Sequence, residues 1–381
     1  MANRLNIIII GSAYPYRGGL AAYNERLAKA YIEQGNDVTI HTFTVQYPNF
    51  LFPGKSQFSE TPSPNDINII RNVNSVNPFN WIKTGYKIKR LKPDIVIIKF
   101  WIPFMAPCFG TIAKIIKKNH HTKIISIIDN IIPHEKRPGD KILANYFVKN
   151  VDGFITMSRS VLNDLEIFDK EKPKLYCPHP LYDNFGEILT KDIAKEKLNL
   201  DKKFNYILFF GLIRDYKGLD LLLEAFANSS LRKFSLKLLV AGEFYCDSKP
   251  YFEIIKKHKL EDYVIMSNNF IPDDKVKDYF CAADLVVQPY KNATQSGVTQ
   301  IAYHFNKPMI VTDVGGLSEM VPDNKVGYIV KPEINDIAKA IEKFYSDKKE
   351  DEFVNNVKVE KTKYSWENLI NKIEELIVNK K

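Results

Sequence analysis

The chain has 381 residues, 45% of them hydrophobic and 26% charged, which is enough for two ordinary domains with real cores and excludes a disordered chain. Its apolar runs, such as DIVIIKF and KIISII, are strand-length, far below the ~18–20 residues that a membrane-spanning helix needs. The formal charge of +9 is uneven, with 24 Lys and Arg against 14 Asp and Glu in residues 1–180 and 30 against 31 in the remainder, so a basic first half adjoins a neutral second half.

That imbalance points to two domains with different partners. The first should face something anionic: a membrane surface, a phosphorylated acceptor or nucleic acid. The opening MANRLNIIIIGSAYP reads as a first strand leading into a loop, not as a signal peptide, because no small-residue cleavage site follows. Cys108, Cys177, Cys246 and Cys281 lie far apart with no CxxC pair, so no disulfide framework is expected and a reducing cytosol fits. The seven histidines show no HExxH-type spacing, and no metal is expected.

Along the chain, strand-like and helix-like runs alternate. LNIIIIG is followed by GGLAAYNERLAKAYIEQG, with apolar residues at Leu20, Tyr23, Leu27, Ala30 and Tyr31 near the helical period and Gly35 as a stop, and then by DVTIHTF. This is a βαβ unit. Further strands are predicted at Asp66–Arg71, Asp94–Phe100, Lys123–Asp129, Gly153–Met157 and Lys174–Cys177. The pattern breaks at PHPLYDNFG, and the polar helix LTKDIAKEKLNL follows.

Alternation then restarts with FNYILFFG, helix Leu219–Ala227, LKLLVAGE, helix Tyr251–Lys259, YVIMSNN, helix Asp274–Ala282, LVVQPY and helix Thr299–Phe305. PMIVTD, VGYIV, helix Ile334–Tyr345 and a last helix Ser365–Val378 complete it. The prediction is therefore an α/β protein of two doubly wound domains, residues 1–185 and 186–362, with a terminal helical segment 363–381. Open α/β sheets bind ligands at the carboxyl ends of their strands, so a shared site is expected in a cleft between the domains.

Four loops that follow strands carry candidate chemistry. In FFGLIRDYKGLD, Arg214 and Lys217 stand where a helix start already offers amides and partial positive charge, which suits a doubly anionic group such as a diphosphate. Spacing alone equally admits two solvated surface cations. TDVGGLSEM places Gly315 and Gly316 after a strand, with Glu319 poised to accept sugar or ribose hydroxyls. QPYKNATQSGVTQ puts Ser296 and Gly297 before a helix as a second nest of amides. In GSAYPYRGGLAAY, Gly18 and Gly19 let backbone approach a ligand closely.

These segments, with CAADLVVQPY, NKPMIVTDVGGLSEMV and VGYIVKP, resemble the retaining glycosyltransferases of family 4, over nearly the whole chain. The SGVTQIAYHFNKP variant and IPHEKRPGD are similar to bacterial enzymes of surface-polysaccharide assembly. The resemblance implies the GT-B fold: two Rossmann-like domains facing across a cleft, with the C-terminal helix crossing back to the first. It implies a nucleotide-diphosphate sugar donor held in the second domain by Arg214, Lys217, Gly211, Ser296, Gly297 and Val298, with Gln300, Gly315, Gly316 and Glu319 around the nucleotide and sugar. Gly18 and Gly19 of the first domain would also contact the donor, and a saccharide or lipid-linked acceptor would dock on the first domain, without metal or cofactor.

Three departures stand out. The family's Arg directly after the strand glycine is replaced by Leu212, and its paired glutamates are absent where Ala293 and Gln300 or Ile301 stand. The first-domain histidine is replaced by Asp129, with His134 downstream. Either residue is a candidate for the transferred sugar or the acceptor, and a loop-bracing or capping role is the alternative for both.

The basic helix WIKTGYKIKRLK, with Lys83, Lys87 and Arg90 on one side and Trp81 and Tyr86 near interfacial depth, is a candidate membrane face, as is TIAKIIKKNHH with Lys114, Lys117 and Lys118. Both also read as ordinary solvated faces. The expected place is the cytoplasm, peripherally on the inner face of the plasma membrane, with no nucleic-acid partner. Rival readings are a sugar-nucleotide epimerase or another enzyme on the same architecture, and a non-catalytic protein binding anionic membranes or nucleic acid.

Overall fold

A computed structural model describes residues 4–48, 56–59, 62–133, 137–293 and 296–378. The chain divides into two compact units, one of Met1–Pro180 with Ser365–Lys381 and one of Leu181–Tyr364.

In the first unit the elements run β1 Asn6–Ile10, α1 Gly19–Glu33, β2 Asp37–Val45, β3 Asn68–Asn74, α2 Pro78–Leu91, β4 Ile95–Phe100 and α3 Ala106–Ile116. They continue with β5 Lys123–Ile128, α4 Asp140–Lys149, β6 Gly153–Thr156, α5 Arg159–Glu166 and β7 Lys174–Tyr176. Among the described residues the strands form one parallel sheet in the order β3-β2-β1-β4-β5-β6-β7. Strands of such a sheet are covered on both faces and read as continuous apolar runs. NIIII and IVIIKF do so, and every residue of β4 is buried, including the lysine.

The second unit runs α6 Lys191–Lys197, β8 Asn205–Phe210, α7 Leu219–Phe226, β9 Leu236–Ala241, α8 Lys249–Lys257, β10 Val264–Ser267 and α9 Asp273–Ala282. It continues with β11 Leu285–Gln288, α10 Gly297–His304, β12 Met309–Thr312, β13 Gly327–Val330, α11 Ile334–Ser346 and α12 Glu350–Glu360. Its six described strands are again parallel, ordered β10-β9-β8-β11-β12-β13.

In both sheets the chain starts near the middle, builds outward to one edge, then returns to build the other. The reversal falls between β1 and β4 and between β8 and β11. At such a switch point the two flanking loops diverge and leave a crevice. The loops in question are residues 11–18 and the segment after Phe100 in the first unit, and residues 211–218 and 289–293 in the second.

Three boundaries differ usefully from the sequence expectation. Helix α10 begins at Gly297, two residues before the predicted start, so Gly297 and Val298 belong to its first turn. Strand β3 extends to Asn74, beyond the predicted Arg71, past a register shift opposite Thr42 and Phe43. Helix α12 went unread because only Phe353, Val357 and Glu360 of its eleven residues are buried, too sparse a stripe to show a period.

The last helix, α13 Trp366–Val378, belongs to the first unit and packs on α1 and beside β5, β6 and β7. Leu369, Ile370, Ile373 and Leu376 are buried on it, and Trp366 lies against Tyr23 with ring centroids 5.1 Å apart. Emptying such a site costs the transfer energy of the lost atoms plus a cavity. Ile373→Ala should therefore destabilise the first unit by about 2–5 kcal/mol, seen as an earlier urea midpoint. An unchanged midpoint would show that this packing contributes little.

Candidate functional site: a cationic hook at a strand end

Strand β8 ends at Gly211, whose φ of +103° lies in the region that favours glycine. A Cβ there would stand 3.0 Å from Lys217 Nζ and 3.6 Å from Val298 Cγ2. The bare Cα is therefore the floor on which the lysine and the first turn of α10 meet. Between them the chain makes a 3-10 turn, Asp215–Lys217, closed by Gly218 at φ +66°. A Cβ on Gly218 would sit 2.0 Å from the carbonyl oxygen of Pro289. Only glycine lets the β8 and β11 loops lie this close.

Lys217 is half-buried, and its ammonium lies 5.5 Å from the Tyr290 ring centroid. Arg214 is also half-buried, 5.3 Å from the Tyr245 ring centroid. Among the described residues neither forms an ion pair with a carboxylate. Desolvation, and then the neighbouring Arg214, pull the Lys217 ammonium down to about 8. Two cations with aromatic neighbours and no counter-charge are costly unless an anion completes them.

Helix α10 starts beside this lysine, with Val298 Cγ2 and Lys217 Nζ both close to Gly211. Its N-cap residue Ser296 gives no side-chain cap; its hydroxyl pairs with Tyr290 Oη at 3.3 Å. The carbonyl of Tyr290 accepts from Thr312 Oγ1 at 2.6 Å, which ties the β11 loop to the end of β12. Helix start, lysine and arginine thus lie at one strand end, and helix amides, guanidinium and ammonium are all groups suited to contacting an anion.

The remaining second-unit candidates lie around this loop cluster in different states. Gln300 is fully buried; its amide nitrogen lies 3.9 Å from Met320 Sδ, and its Oε1 has no partner among the described residues. Gln288, one strand position before the loop, is buried as well, accepts from Thr299 Oγ1 at 3.2 Å and leaves Nε2 unpartnered. Gly315 takes φ +51°, and the amide of Gly316 donates to the carbonyl of Ala293 at 3.3 Å. Glu319 is exposed on the 3-10 turn Ser318–Met320.

In the first unit Gly18 has φ +96° and open space where a Cβ would go, and Gly19 begins α1 with no side-chain cap before it. Asp129 does not stand alone: it is 8% exposed and its Oδ1 accepts from Lys99 Nζ at 2.8 Å. His134 lies outside the described residues. Lys99 was missed from sequence, although a lone cation in the apolar strand IVIIKF is a signal. Its ammonium stands 3.5 Å from the Tyr23 ring centroid, and the His179 ring meets Tyr23 edge-on at 5.2 Å. Burial, and then Lys99, hold His179 down to about 3, so this imidazole is neutral.

The basic helix face resolves differently from the sequence reading. Trp81 is not at an outer face: it packs on the core and donates to the carbonyl of Asn74 at 2.7 Å. The apolar side chains that stand out on α2 are Phe79 (83% exposed), Leu91 (50%), Tyr86 (45%) and Ile82 (44%), beside exposed Lys83, Lys87 and Arg90. In the second stretch Lys114 and Lys118 are exposed, but Lys117 pairs with Asp152 at 2.8 Å. All four cysteines are free thiols, and no helix among the described residues is long and apolar enough to cross a membrane.

Two units with this topology and a cationic strand-end loop define a class that comparison with known proteins makes specific. The family described as Glycosyl transferases group 1 matches residues 190–361, and Glycosyltransferase Family 4 matches residues 17–174. The chain belongs to the family 4 glycosyltransferases and has their GT-B fold. This decides between the enzymatic readings weighed from sequence in favour of sugar transfer.

An uncharacterized glycosyltransferase, MJ1178, from Methanocaldococcus jannaschii is 24% identical over 96% of both chains. A lipopolysaccharide 1,2-N-acetylglucosaminetransferase from Salmonella typhimurium is 29% identical over 50% of this chain and 52% of its own. Among solved structures, Anabaena Alr3699/HepE in complex with UDP and glucose superposes with a TM-score of 0.71 at 14% identity, covering 98% of this chain and 99% of that one, a likeness of fold.

The lowered Lys217 pKa has a measurable consequence. In the ligand-free protein the charged form dominates below about pH 8 and is lost as pH rises. Affinity for inorganic pyrophosphate, measured by calorimetry, should fall as pH rises from 7 through 9. The fall is displaced upward to the extent that the bound anion holds the proton on. Lys217→Met should bind weakly and without that pH dependence; an unchanged pH profile in the variant would refute the hook.

Proposed function

We propose that this glycosyltransferase moves a sugar, with retention of anomeric configuration, from a nucleoside-diphosphate sugar to a saccharide or lipid-linked acceptor in cell-surface polysaccharide assembly. The observation that carries the reading is the uncompensated pair Arg214 and Lys217 beside the first turn of α10. A sugar leaving from a diphosphate develops negative charge on that diphosphate. Cations and helix amides already aimed at it stabilise the transition state without reorganising. They match the charge that a divalent cation would otherwise meet.

Support comes also from relatives: a structural neighbour holds UDP and glucose, and a partial sequence relative is a lipopolysaccharide N-acetylglucosaminetransferase. In this reading Gln300 offers its unpartnered Oε1 to a donor hydroxyl, and Gly315, Gly316 and Glu319 border the sugar. Gly18 and Gly19 are assigned to the donor, and the acceptor to the first unit, where Asp129 is a contact for it or for the transferred sugar.

Lys217→Ala removes one charge contact to the leaving group and should lower kcat by roughly a hundredfold, or ~3 kcal/mol, with the fold retained by circular dichroism. Screening UDP-, GDP- and ADP-sugars for hydrolysis and transfer identifies the donor. A donor that raises the wild-type melting temperature by mass action but leaves the Lys217→Ala rate unchanged would refute the assignment.

The exposed stripe Phe79, Ile82 and Tyr86, flanked by Lys83, Lys87 and Arg90, fits the surface of an anionic bilayer on the cytoplasmic side. A lipid-linked acceptor is presented at such a surface. Vesicles containing a third phosphatidylserine should pellet the protein, and Phe79→Ser with Lys83→Glu should release it. Equal pelleting with neutral vesicles, or none at all, would remove the membrane from the reading.

A further inference from the structure

Lysine 99 is 2% exposed in the strand IVIIKF, whose other five residues are buried and apolar. Burying an ammonium and a carboxylate together costs much of what their attraction returns, and an apolar pair of similar volume generally serves stability as well. A core pair that stability does not require invites a functional account. Its location offers one. Lys99 lies near the carboxyl end of β4 and Asp129 directly follows β5. Strand β4 is one side of the switch point in this sheet, where doubly wound folds receive ligands.

The pair is held on all sides. The Asp129 amide donates to the carbonyl of Phe100 at 2.9 Å, which fixes the backbone of the loop to the next strand. Lys99 Nζ donates to Asp129 Oδ1 at 2.8 Å and rests on the face of Tyr23, 3.5 Å from its centroid. Tyr23 is itself braced by His179 and Trp366. Asp129 keeps a small window to solvent, and a carboxylate has room for about four accepted hydrogen bonds.

We propose that Lys99 is a positioning residue for sugar transfer, holding the Asp129 side chain aimed so that its carboxylate accepts a hydrogen bond from a sugar hydroxyl at the strand ends of the first unit. The inference rests on the functional reading above and adds to it a role for a residue that would touch no substrate. Lys99 acts only through Asp129, so its removal matters only while Asp129 is there.

The test compares wild type, Lys99→Met, Asp129→Asn and the double variant, using a donor that the wild type hydrolyses or transfers in the UDP-, GDP- and ADP-sugar screen. Each single variant should lose about 10- to 100-fold in kcat/KM, the range for a lost hydrogen bond to a charged group. Affinity for the free nucleoside diphosphate, held by the second unit, should not change. The double variant should be no slower than Asp129→Asn alone, the signature of one unit acting together.

Loss confined to transfer, with a raised acceptor KM, places the hydroxyl on the acceptor; loss of donor hydrolysis as well places it on the donor sugar. If either single variant fails to fold, the double variant, which leaves no unpaired buried charge, carries the test. A folded double variant with wild-type kcat/KM overturns the proposal, as do single losses that multiply or a folded Lys99→Met that is fully active. A wild type inert with every donor overturns the functional reading instead.

Discussion

A lysine ammonium drawn partly out of water, with no carboxylate among the described residues to meet it, is the constraint around which the second unit is arranged. The cost of that state shows in the lowered Lys217 pKa, caused first by desolvation and then by Arg214. Everything that keeps the charge there is structural. Gly211 has no Cβ to push Nζ away, Gly218 lets the turn press against the Pro289 carbonyl, and Tyr290 offers a ring face instead of a counter-ion. A desolvated cation of this kind is stabilised by an anion placed against it, which is the physical basis of the donor site proposed above.

The parallel sheet explains why such a site forms where it does. With all strands running one way, every strand-to-helix loop emerges at the same edge, and reversal of the strand order parts two of those loops. The β8 loop contributes the cations and the β11 loop contributes the start of α10. The first unit repeats the plan, but its edge holds a compensated pair, Lys99 with Asp129, instead of bare cations. Net charge and local charge run opposite ways. The first half carries the surplus of lysine and arginine, much of it on outward faces such as that of α2. The second half is balanced overall yet concentrates positive charge at one strand end.

The aromatic residues show how the same sequence feature can take different fates. Trp81 and Tyr86 are five positions apart in one basic helix, yet Trp81 turns inward to the Asn74 carbonyl while Tyr86 stays out and Phe79 replaces Trp81 at the surface. An indole with a buried acceptor within reach gains both packing and a hydrogen bond, and phenylalanine has no such handle. In the neighbouring stretch Lys117 is drawn to Asp152, a partner 35 positions away in the chain that no local pattern could disclose.

What the chain order alone determined was the architecture, and with it which loops follow strands. Apolar strand-length runs, helical periods and glycines after strands are local, and in a doubly wound fold local order implies which end of each strand faces the ligand. FFGLIRDYKGLD and QPYKNATQSGVTQ were legible for that reason. Tertiary structure decided the rest. It set Lys217 over Gly211, left Gln288 and Gln300 each with an unpartnered amide atom, and joined Lys99 to Asp129 across adjacent strands. Those facts depend on distances between residues far apart in sequence and on how much water the packing removes. A linear pattern records neither, because desolvation and ion pairing belong to the folded volume and not to any single segment.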